Sequence, residues 1–474
     1  MASVRSQNAW MLRRILLFML LSGLSAAAPA VAAGAQIVVA QDGSGDFNGA
    51  DEKPILAALA KAHAAGGGEI VIRPDVYLVT PGITLTGVSN VIFRGLPGAT
   101  LKLPPLQYAE VSRDVGVGET ILPVSIQQGL AVETLLQIRA PGSVDAFSGK
   151  AKPTFFTKLA KVEADRLVLA APLTFPVPAK TQVVNENAPN LFEVRGSSEN
   201  IVIEGLTLDG GRTANDPPIP AHAQRCGVFA SGPYNYTDGP TGKPVRQVVI
   251  RDCTIRNCFG RGVALYAVTD ALIANCKIED TVDEAVDLDH FAVACRVLDN
   301  QVARCRVGVE LNDANECRVE RNHLEGCQTG VIIWRWCKMD DLNVRNQILD
   351  NVFVDTTGNA LQLQAGTAFN VARGNTIRGA GRNGVSLGAS DTIVSGNIIE
   401  RTAMHGITVN GDRNDVTGNR VMAAGGNTAQ KFAGIRILGA KNRVFDNVIV
   451  SGAGADAPAQ SVLDEGKETV LRAP

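Results

Sequence analysis

The chain has 474 residues, a formal net charge of −2 and an aromatic content of 5%. Its length can bury one large core or several smaller ones, and a near-neutral balance without a long basic run argues against non-specific nucleic-acid binding. With 48 glycines and so few aromatics, short strands and tight turns are expected rather than a helical bundle.

In chain order, residues 1–32 read as an export signal. Arg5, Arg13 and Arg14 precede the apolar run Ile15 to Leu24, and small residues follow to Ala32, so cleavage is expected near Ala32 and Ala33. That run is short for a membrane span, and no later segment supplies one. The expectation is an exported protein, periplasmic or extracellular, without an integral membrane segment.

A first unit, 33–105, opens with a helix near Asp51, where Ile55, Leu56, Leu59 and Ala62 keep helical spacing until Gly66-Gly67-Gly68 stops it. Strands follow at Glu69 to Ile72, Ile83 to Leu85 and Val91 to Phe93. Such a helix could cap the open end of a stacked sheet, whose bare edges would otherwise pair with other chains. Residues 106–190 break the pattern with prolines and with strand patterns at Leu135 to Ile138 and Arg166 to Leu169, and read as an inserted β-rich subdomain.

From Asn200 the chain is periodic, and 191–460 reads as the main body, with 461–474 as a tail. Cys253, Cys276, Asn300, Asn322, Asn351, Asn375, Asn397, Asn419 and Asn447 form a column with gaps of 23, 24, 22, 29, 24, 22, 22 and 28 residues. A second column contains Ala264, Asp287, Glu310, Ile332, Gln362, Ser386, Thr408 and Arg436. Two columns in step over eight rungs indicate a β-solenoid. Asn suits a bend because it tolerates left-handed angles, and stacked amides can bond from rung to rung. Most of the nine cysteines occupy inward columns, which predicts buried, inert thiols; Cys295 with Cys317, or Cys305 with Cys327, are near enough to bridge.

The export signal, the helix followed by Gly66-Gly67-Gly68-Glu69-Ile70-Val71-Ile72, the stretch Asn200 to Gly210 and the asparagine ladder resemble the pectin-lyase-like superfamily. The resemblance covers nearly the whole mature chain outside the insertion. It implies an all-β fold, a right-handed parallel β-helix with an N-terminal capping helix, and a polysaccharide or oligosaccharide substrate bound along one sheet.

Three strands stand out: Ala285 to His290, Gly308 to Asp313 and Gly330 to Arg335. Alternation presents Asp287 and Asp289, Glu310 and Asn312, and Ile332 and Trp334 on one face. Stacking at about 4.8 Å per rung would gather them into an acidic wall. Like charges on one wall need water, a metal or a polar substrate to offset their repulsion. Asp287, Asp289 and Glu310 are therefore the candidate catalytic acid, base or nucleophile. Tyr266, His290, Asn312, Trp334 and Arg335 are the candidate substrate-binding residues, with Tyr266 and Trp334 offering faces for pyranose rings. Asp313 reads as a turn residue.

Paired carboxylates suit glycoside hydrolysis, and the resemblance to polygalacturonase-like enzymes points the same way, although their Gly-His-Gly and Arg-Ile-Lys signatures are absent. The resemblance also implies an alternative, a polysaccharide lyase or uronate epimerase. Asp287, Asp289, Glu310 and Asn312 would then hold calcium, and Arg335 would be the nearest base. No other cofactor is indicated. A third reading is a non-catalytic, glycan-binding solenoid, against which the long Arg212 to Val245 segment argues, because it can arch over the wall as a lid.

Overall fold

The computed structural model describes residues 36–139, 154–185, 190–213, 216, 225–422, 424–425, 432–450 and 460–472; the export signal lies outside them. Nearly every strand pairs in parallel with the equivalent strand one coil later, which forms three long sheets. Sheet A runs from the N-terminal strands Gln36–Ala40 and Phe47–Asn48 to Val470–Arg472, sheet B from Asp75–Leu78 to Val448–Val450, and sheet C from Ile83–Thr86 to Gln460–Asp464. One coil visits A, B and C in turn, as at Leu272–Ala274, Lys277–Glu279 and Glu284–Asp289. This is a parallel β-helix, and its inward valines, leucines and isoleucines form one continuous core.

The helix Lys53–Ala64 begins with Pro54 in its first turn and buries Pro54, Ile55, Ala58, Leu59 and Ala62. Its contacts are with the first strands of sheet A, so it covers the end of the stack. At the second B-to-C corner, between Ala99–Lys102 and Phe192–Arg195, the chain leaves the solenoid. Strands Tyr108–Val111, Ile121–Gln128, Leu135–Arg139, Thr154–Val162, Arg166–Leu169 and Gln182–Asn185 close into an antiparallel barrel with its own core around Leu122, Leu136, Leu159 and Leu167. Leu106, Tyr108 and Val184 of this insertion pack on Phe259, two residues before Arg261. The barrel thus abuts the corner that delivers Arg261 to sheet C.

The asparagine ladder holds the rungs in register. Asn375 accepts the Asn351 backbone N–H through Oδ1 at 3.0 Å and donates Nδ2 to the Ile348 carbonyl at 3.0 Å and to Asn397 Oδ1 at 2.9 Å; Asn300, Asn322, Asn397 and Asn419 repeat the pattern. The left-handed residue is the one before each asparagine, at Asp299, Arg321, Asp350, Gly374, Gly396, Gly418 and Asp446. The ladder side chain therefore follows the bend rather than forming it, which corrects the expectation from sequence.

A second ladder lies five residues earlier, through Cys317, Asn346, Asn370, Thr392, Asn414 and Asn442. Each member again follows a left-handed residue, among them Arg345, Phe369, Asp391, Arg413 and Lys441. All nine cysteines are buried thiols, and seven of them sit in the main core.

Replacing Asn375 with alanine should leave the Asn351 N–H and the Ile348 carbonyl without their side-chain partner in the interior, at about 1–3 kcal/mol for each. The urea midpoint followed by circular dichroism should fall clearly. Asn447→Ala, at the half-buried end of the ladder, should fall less, and equal losses would contradict the ladder's role.

Candidate active site

Four successive strands of sheet C carry the site: Val263–Tyr266, Glu284–Asp289, Val307–Asn312 and Thr329–Trp334. Their register pairs Ala264 with Asp287, Asp287 with Glu310, and Glu310 with Ile332. It also pairs Tyr266 with Asp289, and Asn312 with Trp334. Side chains more than twenty positions apart in sequence are thus next-rung neighbours, because each coil returns to sheet C at the same height.

The wall is not open. Asp287 is 0% exposed, Asp289 4% and Glu310 5%, whereas alternation suggested a solvated face. Their surroundings are polar. Arg261 places Nε 2.6 Å from Asp287 Oδ2 and 2.7 Å from Glu284 Oε2. Arg306 pairs with Asp283 and Glu284, and Tyr266 donates its hydroxyl to Asp287 Oδ2 at 3.1 Å.

These groups titrate abnormally, and burial is the leading cause. Desolvation pushes Glu284 up to about 8, with Asp283 and Asp287 adding repulsion against the pull of Arg261. Asp287 is raised by burial against the opposing pull of Arg261. Asp289 and Glu310 are raised well above the carboxylate range, first by burial and then by the neighbouring carboxylates. The tyrosine at 266 shifts upward for the same reasons and keeps its proton. The cluster therefore retains protons near neutrality, which equips it to act as an acid.

Aromatic rings close over it. Phe229 meets Tyr266 edge-on at 5.2 Å, and Tyr234 and Tyr236 lie 5.5 and 4.9 Å from the His290 ring. The two tyrosines belong to a small hairpin, Tyr234 in its first strand and Tyr236 in its turn, with Tyr234–Asn235 paired to Gly239–Pro240, within the segment expected to arch over the wall. Trp334 is buried and stacks edge-on with Trp336 at 6.0 Å, so it is not the open platform anticipated. Arg335 lies beside Gly366 of the next rung, where an added Cβ would meet its Nε at 3.8 Å. The cations paired with the cluster among the described residues are Arg261 and Arg306. His290 turns Nδ1 toward Asp289 Oδ1 at 3.1 Å and Asp313 Oδ2 at 3.3 Å.

Arg261, Asp283, Glu284 and Arg306 were not anticipated. Simple alternation assigns Glu284 to the core with Val286 and Leu288. The usable signal was the charge where each of these strands begins, Arg261, then Asp283 with Glu284, then Arg306, 22 or 23 residues apart.

A family model described as "Right handed beta helix region" matches residues 234–353. No curated protein matches the sequence. Among solved structures, the A-module of the Azotobacter vinelandii mannuronan C-5 epimerase AlgE4 is 16% identical with a TM-score of 0.56, covering 88% of this chain and 95% of that one. The AlgE6 A-module from the same organism is also 16% identical, with a TM-score of 0.53 and coverages of 89% and 95%. The Dettilon tailspike protein is 14% identical with a TM-score of 0.51, covering 88% of this chain and 68% of that one. These likenesses and the sheet order give the fold as a right-handed parallel β-helix. No helix among the described residues is long and apolar enough to cross a membrane.

A carboxyl whose pKa is raised on folding contributes stability that is present below its unfolded value and lost as pH rises through its folded value. For Glu284 that window runs from 4.5 to about 8. Thermal denaturation of the native protein and of Glu284→Gln across this range should show the variant gaining on the native protein as pH rises. A difference that stays flat with pH would mean that Glu284 is ionised throughout.

Proposed function

We propose that the protein is an exported carbohydrate-active enzyme that cleaves glycosidic bonds, with Asp289 and Glu310 as the acid/base pair and Asp287 tuning them from behind. The observation that carries this reading is the arrangement of the three carboxyls. Asp287 and Glu310 are cross-strand partners, Asp289 lies two residues along the strand, and burial raises all three. A carboxyl that keeps its proton at neutral pH can deliver it to a leaving glycosidic oxygen, while a second one activates water or attacks the anomeric carbon. Asp289 and Glu310 retain a sliver of accessible surface and Asp287 has none, so substrate would meet the first two. Asp287, tied to Tyr266 and Arg261, would act through them.

A second reading, uronate epimerisation, is supported by the Tyr266 hydroxyl, a protonated donor held against Asp287. It also draws on the likeness in fold to the two mannuronan C-5 epimerase modules. Calcium fits the acid wall poorly. The Arg261 guanidinium already lies against Asp287, and Asp287, Asp289 and Glu310 are not among the described ligand groups that converge within 4.8 Å.

A glycan panel separates these readings. New reducing ends indicate hydrolysis, absorbance of an unsaturated uronate indicates elimination, and altered uronate composition without cleavage indicates epimerisation. Asp289→Asn and Glu310→Gln should each cost about a hundredfold or more in turnover. If both retain native turnover on the accepted glycan, the site is wrong; binding without any turnover by the native protein would leave a glycan-binding solenoid.

A further inference from the structure

Beyond the acid wall, the bend that ends each of these strands gathers a different set of side chains. His290 follows Glu284–Asp289, Asp313 follows Val307–Asn312, and Cys337 lies three residues beyond Thr329–Trp334. Three successive coils thus each contribute one group to the same corner. The ligand atoms of His290, Asp313 and Cys337 all lie within 4.8 Å of one another, and all three residues are buried. Asp313 is held in place, since Oδ1 accepts the Trp336 and Cys337 backbone N–H groups at 2.9 and 3.1 Å and Oδ2 accepts the latter at 3.0 Å.

We propose that His290, Asp313 and Cys337 form a binding site for a borderline-soft divalent cation, zinc by preference, which fastens the loop after Trp334 to the edge of sheet C. One nitrogen, one oxygen and one sulfur donor make a set that zinc accepts and that calcium or magnesium, which favour all-oxygen shells, does not. Tetrahedral ligands at zinc distances lie about 3.3–3.8 Å apart. The His290 Nδ1 to Asp313 Oδ2 separation is already 3.3 Å, so the thiol need move by only about an ångström to complete the set.

Charge also balances. The cation displaces the thiol proton, which passes to solvent, and binds the lone pair on neutral His290 Nδ1 while the ring proton moves to Nε2. A dication with one thiolate and one carboxylate is neutral overall, the condition under which burying an ion costs least. Cys337 also departs from most of the other thiols. Seven of the nine cysteines lie in the solenoid core, where small apolar groups stack, whereas Cys337 sits outside it against Phe291 and Leu342. Three protein ligands leave a fourth position for water or for a substrate oxygen.

Cobalt is the probe for this site. The full chain, stripped with chelator, reloaded with cobalt and freed of excess by gel filtration, should retain one equivalent. Its spectrum should show tetrahedral d–d bands together with sulfur-to-cobalt charge transfer in the near ultraviolet. Cys337→Ser should abolish the charge-transfer band, Asp313→Asn should weaken metal retention by about tenfold or more, and Cys226→Ser should leave both unchanged. Retention of less than half an equivalent, a wild-type spectrum without charge transfer, or a band that survives Cys337→Ser or vanishes in Cys226→Ser would each overturn the assignment. The wild-type spectrum decides on its own if the Cys337 variant does not fold, and none of these readouts depends on which glycan reaction the neighbouring acids perform.

Discussion

Everything in this molecule depends on a constant rise from one coil to the next, and that constancy is set at the corners. A left-handed residue turns the chain, at a cost for any side chain other than glycine. In the two ladder columns the next residue offsets the cost by bonding up and down the stack. Asp350 and Arg345 take the left-handed angles, while Asn351 and Asn346 reach the carbonyls of the previous coil and the amides of the next. Two such ladders, five residues apart, clamp both sides of the short sheet A strands. A slip of one residue in any coil would break both ladders and turn the inward valines outward.

The same register makes a charged cluster affordable in a buried place. Arg261, Glu284 and Asp287 come from neighbouring coils and meet because their strands are aligned. Removing one partner from such a cluster leaves an uncompensated buried charge, a large penalty. The barrel contributes from outside the repeat, since its Leu106, Tyr108 and Val184 press on Phe259 beside Gly260 and Arg261. Arg225 stacks over the same ring at 4.9 Å and bonds the Pro104 carbonyl, tying the insertion to this corner.

How much could be read beforehand follows from what repeats. The column Ala264, Asp287, Glu310, Ile332, Gln362, Ser386, Thr408, Arg436 emerges as consecutive cross-strand partners, because identical spacing leaves a trace in the sequence. The second ladder left the same trace, Asn346 with Asn351 and Asn414 with Asn419, but Cys317 and Thr392 interrupt it and mask the column. Burial of the acids was not legible. Beside them, Tyr234, Tyr236 and the segment around Trp336 and Met339 pack on His290, Phe291 and Cys337, stretches with no counterpart in other rungs. Arg261 and Glu284 were hidden for a different reason: two-residue alternation, extrapolated past a corner, assigns Glu284 to the wrong side.

The charge balance of the cluster bears on what can bind there. Asp283, Glu284, Asp287, Asp289 and Glu310 face Arg261 and Arg306, so full ionisation would leave a buried excess of negative charge. Protons make up the difference: Glu284, pushed to about 8 first by burial and then by Asp283 and Asp287, keeps its own near neutrality. A uronate carboxylate entering this space would add to the excess and would have to recruit a further proton or cation. A neutral sugar brings hydroxyls that can accept from the protonated carboxyls and donate to the ionised ones. On electrostatic grounds this charge balance supports the proposed proton delivery to a neutral glycosidic oxygen over the alternative reading, abstraction of a proton beside a carboxylate.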